Sequence, residues 1–319
     1  MDSIESITGK LIAKYDSLEF KSIKNVFTGN SVLYGKLNPY LRKYYKPNFT
    51  GVCSSEFWVL NPIKITQSFL YHFVTTDNFN IQTNKTCGTS MPRADWDVIK
   101  GSNIYYPTNE EQVKIGSFLD MIDSKIRIVD SKISTLKKYK KGMINQLLNN
   151  IKFSNRELLS NLCKITTGKL DANAMNQNGK YKFFTCSRED YLIDTYAFDC
   201  EALLISGNGE VGLTKYYKGK FNAYQRTYVL YDFEKSAKFI KTCVDVQIDT
   251  VIRRETNKGA MPYIRLSTFN KILIPLVSKK DEINIENTID IIDKKIEFHE
   301  NTLRTLQMIK KQLLNSMFI

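Results

Sequence analysis

Two stretches of this sequence crowd cations and aromatic rings together. The first, "YGKLNPYLRKYYKPNF" (Tyr34 to Phe49), sets Lys36, Arg42, Lys43 and Lys46 among four tyrosines with no acidic residue. The second, "SGNGEVGLTKYYKGKFNAYQR" (Ser206 to Arg226), offers Lys215, Lys218, Lys220 and Arg226 beside Asn208, Tyr224 and Gln225. Lysine and arginine neutralise phosphates and release counterions, while Arg, Asn, Gln and Ser read base edges in a major groove. Glycines such as Gly207 and Gly209 let backbone approach a ligand. A further pair of loops, "GTSMPRADW" (Gly88 to Trp96) and "KGAMPYIR" (Lys258 to Arg265), adds Ser90 and Arg93 as contact candidates. The competing reading is plain: Gly-Asn-Gly is a common turn, and tyrosines are common packing residues. Recurrence of the basic-aromatic segment favours binding, and we expect these stretches to be loops.

Other chemistry is poorly represented. The two histidines, His72 and His299, have no nucleophile or metal partner in view, and no G-x-x-x-x-G-K-[ST] loop is present. Asn38-Pro39-Tyr40 lacks the second proline of the Asn-Pro-Pro-Tyr used by amino-methyltransferases, and no glycine-rich methyl-donor loop accompanies it. Six scattered cysteines without a C-x-x-C pair argue against zinc and for a reducing compartment. The residues describe a binder without catalysis of its own.

The elements that must hold these residues occur twice. One heptad pattern runs through Leu119, Ile122, Ile126, Val129, Ile133, Leu136, Lys140, Met143 and Leu147. A second runs through Ile289, Ile292, Ile296, His299, Leu303, Leu306, Lys310, Leu313 and Met317, each 170 residues after its counterpart. Alternating steps of three and four mark a coiled-coil seam, interrupted in both copies by a lysine that can fix register. The basic run from Ser124 to Lys141 on the first helix is either a solvated face or a docking face. Upstream, Val59-Leu60 matches Val229-Leu230 and Met91-Pro92 matches Met261-Pro262 by the same 170. Further back the offset drifts to 172: Lys43–Lys46 falls on Lys215–Lys218, and Ser31–Lys36 on Leu203–Asn208, with Gly35 opposite Gly207. The duplication predicts an α+β protein of two tandem domains, each followed by a long helix. The expected division is 1–108, 109–150 (helix), 151–281 and 282–319 (helix). Strands are expected at Ser55–Leu60, Glu201–Ser206 and Arg226–Phe233, and helices at Thr66–Val74 and Lys235–Gln247. The stretch from Ile151 to about Ala172 has no counterpart in the first copy, whose domain is therefore expected to be shortened at its start. The helices would pair antiparallel about a pseudo-two-fold axis. Leu119 to Leu147 spans 29 residues, about 43 Å of helix, a little over one turn of B-DNA.

Composition agrees. There are 46 Lys+Arg against 33 Asp+Glu, a net charge of +13, with 42% hydrophobic residues available for cores. Such an excess favours an acidic partner, nucleic acid first, although a lysine-rich proteome would produce it too. No apolar run reaches membrane-spanning length and no signal-peptide core is seen at the start, so a cytoplasmic protein is expected.

Taken together, the motif order, the duplication and the helix sequence "EEQVKIGSFLDMIDSKIRIVDSKISTLKKYKKGMINQLL" (Glu110 to Leu148) are similar to the specificity subunit of type I restriction-modification systems. "YGKLNPYLRK", "CSSEFWVL", "ITTGKLDANA" (Ile165 to Ala174) and "KGKFNAYQRTYVL" also resemble stretches of that family's target recognition domains. The resemblance implies a non-catalytic subunit in which each domain reads one half of a split DNA target across a spacer set by the helices. It implies two methyltransferase subunits as partners and, optionally, two ATP-dependent restriction subunits. S-adenosylmethionine, ATP and Mg2+ would belong to those partners. The shortened first domain departs from the family pattern, and leaves open a scaffold or decoy that binds methyltransferase subunits without reading DNA.

Overall fold

The computed structural model describes residues 3–16, 23–87, 91–150, 155–255 and 263–318. Gly88, Thr89, Ser90, the stretch 258–262 and the side chain of Leu147 lie outside the described residues. The chain divides into two compact units, Met1–Lys132 with His299–Ile319, and Ile133–Phe298.

In the first unit β1 (Lys24–Phe27) is followed by β2 (Val32–Gly35), β3 (Tyr44–Tyr45), β4 (Gly51–Ser54) and β5 (Phe57–Leu60). Helices α1 (Gln67–Val74) and α2 (Asp77–Thr83) come next, then β6 (Thr86–Cys87), β7 (Arg93–Ala94) and α3 (Trp96–Lys100). The long α4 (Asn109–Asn149) begins in this unit. Fully buried β2 lies between antiparallel β3 and β5. Its alternating side chains feed two cores: Val32 and Tyr34 face α1 and α2, and Leu33 faces Ile4, Phe27 and Phe57. Thr66 and Thr76 cap α1 and α2, their hydroxyls accepting from the Phe69 and Phe79 amides.

In the second unit β8 (Arg156–Leu158), α5 (Leu159–Leu162) and β9 (Lys164–Thr167) lead into β10 (Tyr181–Phe184), β11 (Tyr191–Ile193), β12 (Phe198–Ser206), β13 (Thr214–Ala223) and β14 (Thr227–Tyr231). Then come α6 (Ala237–Glu255), β15 (Leu273–Pro275) and α7 (Lys279–Met317). The six-stranded sheet has the order β11-β10-β13-β12-β14-β9 and curls back on itself, so that Leu170, just past β9, bridges Tyr224, just past β13. At that closure a Cβ on Gly168 would stand 1.9 Å from the Ala223 carbonyl oxygen, which leaves room for glycine alone. The outer face packs Leu203, Ile205 and Leu230 under Phe239 and Val244 of α6, and the inner face holds Phe184, Leu204, Phe221 and Val229.

The heptad seams pair antiparallel within each unit. In the first, Leu119 and Ile122 of α4 are buried with Leu314 and Phe318 of α7, and Ile126 packs at their edge. In the second, Ile144 of α4 is buried with Ile289 of α7, while Ile292 and Ile296 are also below a tenth exposed. Ile133 is buried, whereas Leu136, Leu303 and Leu306 are half-buried. The interrupting lysines are ion-paired: Lys310 lies 2.6 Å from Asp123, and Lys140 lies 2.6 Å from Asp293. Both lysines and both aspartates differ by 170 positions, so one bond is made twice. Both long helices are also capped in the same way, with the Thr108 and Ser278 hydroxyls accepting from the Glu111 and Asp281 amides.

Strand register corrects the drift read upstream. Val59 pairs Leu33, and its counterpart Val229 pairs Leu204, so β2 and β12 are related by 171 residues and not 172. Side-chain faces agree, since Val32 and Leu203 both point at the helices. A one-residue slip would exchange the faces. By the same logic Tyr44, which pairs Tyr34, is matched by Thr214, which pairs Ile205, so the two Lys-Tyr-Tyr-Lys runs are not equivalent in space.

The first unit is fastened to α4 through Asp120. Its carboxylate takes bonds from Lys46 Nζ at 2.6 Å and Ser68 Oγ at 2.7 Å, and lies 2.9 Å from His72 Nε2. Partial burial pushes the Asp120 carboxyl up, but its bonds to His72, Lys46 and Ser68 outweigh that and hold it well below the usual carboxylate range. His72 is fully buried, and burial pushes its imidazole below the ordinary histidine value against the pull of Asp120. A neutral ring donating through Nε2 is consistent with the absence of any partner on Nδ1.

Two predictions follow from these packing arrangements. Gly168→Ala lowers the thermal midpoint of the second unit, by about 2–3 kcal/mol of overpacking; an unchanged calorimetric transition would contradict the closure. An unfolded chain protonates His72 before the folded one does, so stability of the first unit falls as pH drops through about 6.5, and falls again as Asp120 is titrated below about 4. His72→Gln flattens the loss of midpoint between pH 7.5 and 5.5, and parallel melting curves would remove His72 as the cause.

Candidate nucleic-acid interface

Three loops and one short segment meet at one end of the curled sheet in the second unit. The Gly207 amide donates to the Arg226 carbonyl (2.9 Å), the Ile264 amide to the Gly207 carbonyl (3.0 Å), and the Glu210 amide to the Cys186 carbonyl (3.2 Å). Gly209 and Gly212 take the positive φ values, 59° and 83°, that let the β12–β13 turn fold tightly. A Cβ on Gly207 would lie 2.6 Å from the Arg226 oxygen, so the backbones need glycine here. From this frame Gln225 and Arg226 project into solvent and Asn208 is half-exposed. Gln225 Nε2 is held by Asp171 at 2.6 Å.

The first unit repeats the bracing. The Lys36 amide donates to the Glu56 carbonyl (2.9 Å) and the Ala94 amide to the Lys36 carbonyl (2.9 Å), the same two bonds on counterpart residues. The chemistry on the frame differs. Where the second unit has Arg226, the first has Glu56, whose carboxylate takes two bonds of 3.1 Å from Arg93. Those bonds, followed by partial burial acting the other way, leave the Glu56 carboxyl below its ordinary value.

The cations grouped by sequence do not form one surface. The second basic stretch is largely strand, not loop, since β13 runs from Thr214 to Ala223. Strand alternation then separates its lysines. Lys215 shares a face with Tyr217 and Phe221, and its ammonium is held by Asp190 at 3.0 Å and by the Arg188 and Glu189 carbonyls. Lys218 and Lys220 are exposed on the other face, in register with Glu201 and Asp199, and Lys220 lies over the Tyr196 ring at 4.8 Å. Tyr224 is half-buried where the curled sheet closes on Leu170. In the first unit Arg42 is bound to Asp77 (2.8 Å) and the Thr75 carbonyl, and Lys46 to Asp120, so both cations are engaged inside the protein. Lys36 and Lys43 are half-exposed, with Tyr40 exposed on the short Pro39–Leu41 turn between them. Ser90 lies outside the described residues.

Two cations at the loop junction went unremarked in the sequence. Arg188, exposed and paired to Glu210 across the junction, sits in an acidic-looking "SRED". Arg265, exposed with its guanidinium 4.9 Å from the Tyr263 ring centroid, has Asp95 as its counterpart and so shows no repeat. Bonds of Cys186 and Ile264 to the other loops, with the ion pair of Arg188, bring these residues together.

Comparison with known proteins agrees with this geometry. Residues 3–138 and 155–308 each match the type I restriction modification DNA specificity domain. The specificity subunit of the Escherichia coli type I restriction enzyme EcoDI is 36% identical over 155 residues, which are 48% of this chain and 34% of that protein, so the match spans about a third of the relative. The fold is that of the type I restriction-modification S subunit from M. genitalium, with a TM-score of 0.62 at 16% identity over 93% of this chain and 84% of that one. A solved structure reported for complex assembly and conformational transition of the type I R-M system matches with a TM-score of 0.54 at 18% identity, over 98% of this chain and 88% of that one. Two matching domains, two long helices and paired loop junctions therefore have one common explanation: the chain belongs to the type I restriction-modification DNA specificity family.

Proposed function

We propose that the chain is the DNA-reading subunit of a type I restriction-modification complex, each unit reading one half of a bipartite target. The observation that carries this reading is the pair of loop junctions that share two main-chain bonds and differ in side chains, Arg226 in one and Glu56 with Arg93 in the other. A common frame with unlike readers suits two different half-sites. Arg226, Gln225 and Asn208 are the base-reading candidates of the second unit, joined by Arg188 and Arg265. Lys218 and Lys220 supply phosphate contacts. In the first unit Lys36, Lys43 and Arg93 take these roles, whereas Arg42, Lys46 and Lys215 serve chiefly to hold the fold.

In this reading methylation and restriction are the work of partner subunits, which carry S-adenosylmethionine, ATP and Mg2+. Two methyltransferase subunits dock on apolar residues of the long helices that face away from the seam. Met121 and Ile128 of α4 are 51% and 55% exposed, and their counterparts Ile291 and Phe298 of α7 are 56% and 67% exposed. Solvated apolar stripes on both copies of a helix suit two copies of one partner. No described helix is long and apolar enough to cross a membrane, and a cytoplasmic site of action fits a partner that modifies host DNA. The scaffold reading rests on one observation, the internal engagement of Arg42 and Lys46 in the first unit.

Co-expression with the methyltransferase subunit of the same locus, followed by single-molecule mapping of methylated adenines, tests the proposal. A split motif with two defined halves is expected; a stable complex that methylates nothing would favour the scaffold. Arg226→Ala in that complex weakens binding at the cognate half-site by about 1–3 kcal/mol and relaxes it there, while Lys218→Ala lowers the salt slope by about one without changing the motif. Unchanged binding and an unchanged salt slope would remove both from the interface. Met121→Asp and Ile291→Asp each reduce the methyltransferase subunits bound per chain from two to one, read by native mass spectrometry. Full occupancy in both would place the dock elsewhere.

A further inference from the structure

Arg93 and Glu56 stand together at the loop junction of the first unit, and the frame pins both backbones. The Glu56 carbonyl accepts from the Lys36 amide, and the Glu56 amide donates to Ser54 Oγ at 3.2 Å. Arg93 pairs with Cys87 across β6 and β7. On either side of it the Ala94 amide donates to the Lys36 carbonyl and the Asn38 amide to the Pro92 carbonyl. Two further bonds lock the side chains to each other, from Arg93 Nε to Glu56 Oε2 and from Nη2 to Oε1. A guanidinium held through Nε and Nη2 has one whole edge occupied. What remains is the end-on fork of Nη1 and Nη2, two parallel N–H groups with no bonded acceptor among the described residues. The arginine is the outer member of the pair, its side chain 45% exposed against 25% for the glutamate.

Two acceptors side by side fit such a fork. Duplex DNA offers two kinds: the oxygens of a phosphate, and the O6 and N7 of guanine in the major groove. The carboxylate decides between them. A phosphate arriving at the fork meets a cation already neutralised, and brings a second negative charge towards Glu56. Guanine presents its two lone pairs without net charge, so the carboxylate does not oppose it. By fixing the plane of the guanidinium, Glu56 also removes rotamer freedom that an unheld arginine would lose on binding. Among the described residues of the second unit's junction no cation is held in this way. Arg226 takes the place of Glu56 and Tyr263 that of Arg93, while Arg188 is bonded to Glu210 through Nε alone and is 77% exposed.

We propose that Arg93 reads a guanine in the first unit's half-site through its Nη1–Nη2 fork, and that Glu56 is the positioning residue that aims it. This assignment rests on the DNA-reading function proposed above and adds the base to it. The half-site holds a G·C pair at the position facing β7. Glu56, engaged by Arg93 on both oxygens, accepts no hydrogen bond from the amino group of a cytosine or an adenine.

The test uses the full chain in complex with its methyltransferase subunits, and duplexes carrying the motif that this complex methylates. Each guanine of the motif is replaced in turn by 7-deazaguanine, which keeps the base pair and removes the N7 acceptor. At one position this weakens binding about tenfold in the wild-type complex and has no effect in Arg93→Ala. The methylation motif of Arg93→Ala accepts any base pair at that position and keeps its other half, which serves as the internal control for folding and assembly. Glu56→Ala lowers discrimination at the same position without changing the salt slope, and Glu56→Gln, whose amide oxygen still accepts from Arg93, restores part of it. No 7-deazaguanine penalty that depends on Arg93 would overturn the proposal. So would an unchanged motif with a lower salt slope in Arg93→Ala, the mark of a phosphate contact, or a cytosine or adenine position relaxed by Glu56→Ala alone. A wild-type complex with no split motif would instead remove the DNA-reading function, and this assignment with it.

Discussion

Each unit is seated on a long helix through one buried polar side chain, and most of the architecture follows from it. Gln112 in α4 and Glu282 in α7 are each 1% exposed and 170 positions apart. Gln112 Oε1 accepts from the Thr66 amide at 2.9 Å, and Glu282 Oε2 accepts from the Ser236 amide at 3.4 Å. Thr66 and Ser236 stand immediately before α1 and α6, so the long helix holds the start of the helix that backs the sheet. The buried amide and the buried carboxylate need different surroundings. Gln112 is neutral and is finished by carbonyls, donating to Pro107 at 2.9 Å. Glu282 carries charge and has Lys235 Nζ 2.8 Å from its Oε1, close enough to compensate it though not aligned as a hydrogen bond. The position before Thr66 is Ile65, so the lysine appears only where the carboxylate does.

With the seat fixed, the same offsets propagate outward. Phe69 and Phe239 are buried at 1% and 0% on matching turns, and Ser68 and Lys238 reach Asp120 and Asp290 from matching positions. The loop junctions are braced next, by main-chain bonds that leave the side chains of Glu56 and Arg226 free to differ. Reader chemistry can change from glutamate to arginine at one position without disturbing a bond that holds the frame.

The helices and their pairing were legible because a coiled-coil seam writes its geometry in residue spacing over many turns. The strand cores were legible for the same reason, as with "EALLIS" inside β12. Spacing failed where a short motif looked like an anchor. Lys-Tyr-Tyr-Lys occurs twice, yet its second copy lies two residues further along its strand, and matching letters pulled the alignment off register. The basic stretch from Thr214 onward reads as loop because it is rich in lysine and glycine. It forms a strand because Tyr217 and Phe221 alternate onto the inner core while the lysines between them stay outside. Ion pairing of Arg42 and Lys46 was invisible, since their carboxylates lie 35 and 74 positions away.

Net charge is therefore a poor guide to which cations face a partner. Of the lysines and arginines in the two basic stretches, Arg42, Lys46 and Lys215 sit within 3 Å of carboxylates and are less exposed than Lys218, Lys220 and Arg226. A phosphate approaching such a cation must compete with a partner already bonded in place. It meets no such competitor within ion-pairing distance at Lys218 or Arg226 on the described surface. Exposure on a strand face suits a contact that tracks the backbone of a duplex, and exposure on a tight, glycine-built turn suits one that enters a groove. The geometry thus separates Lys218 from Arg226 by the element each sits on, a distinction that neither charge nor sequence proximity contains.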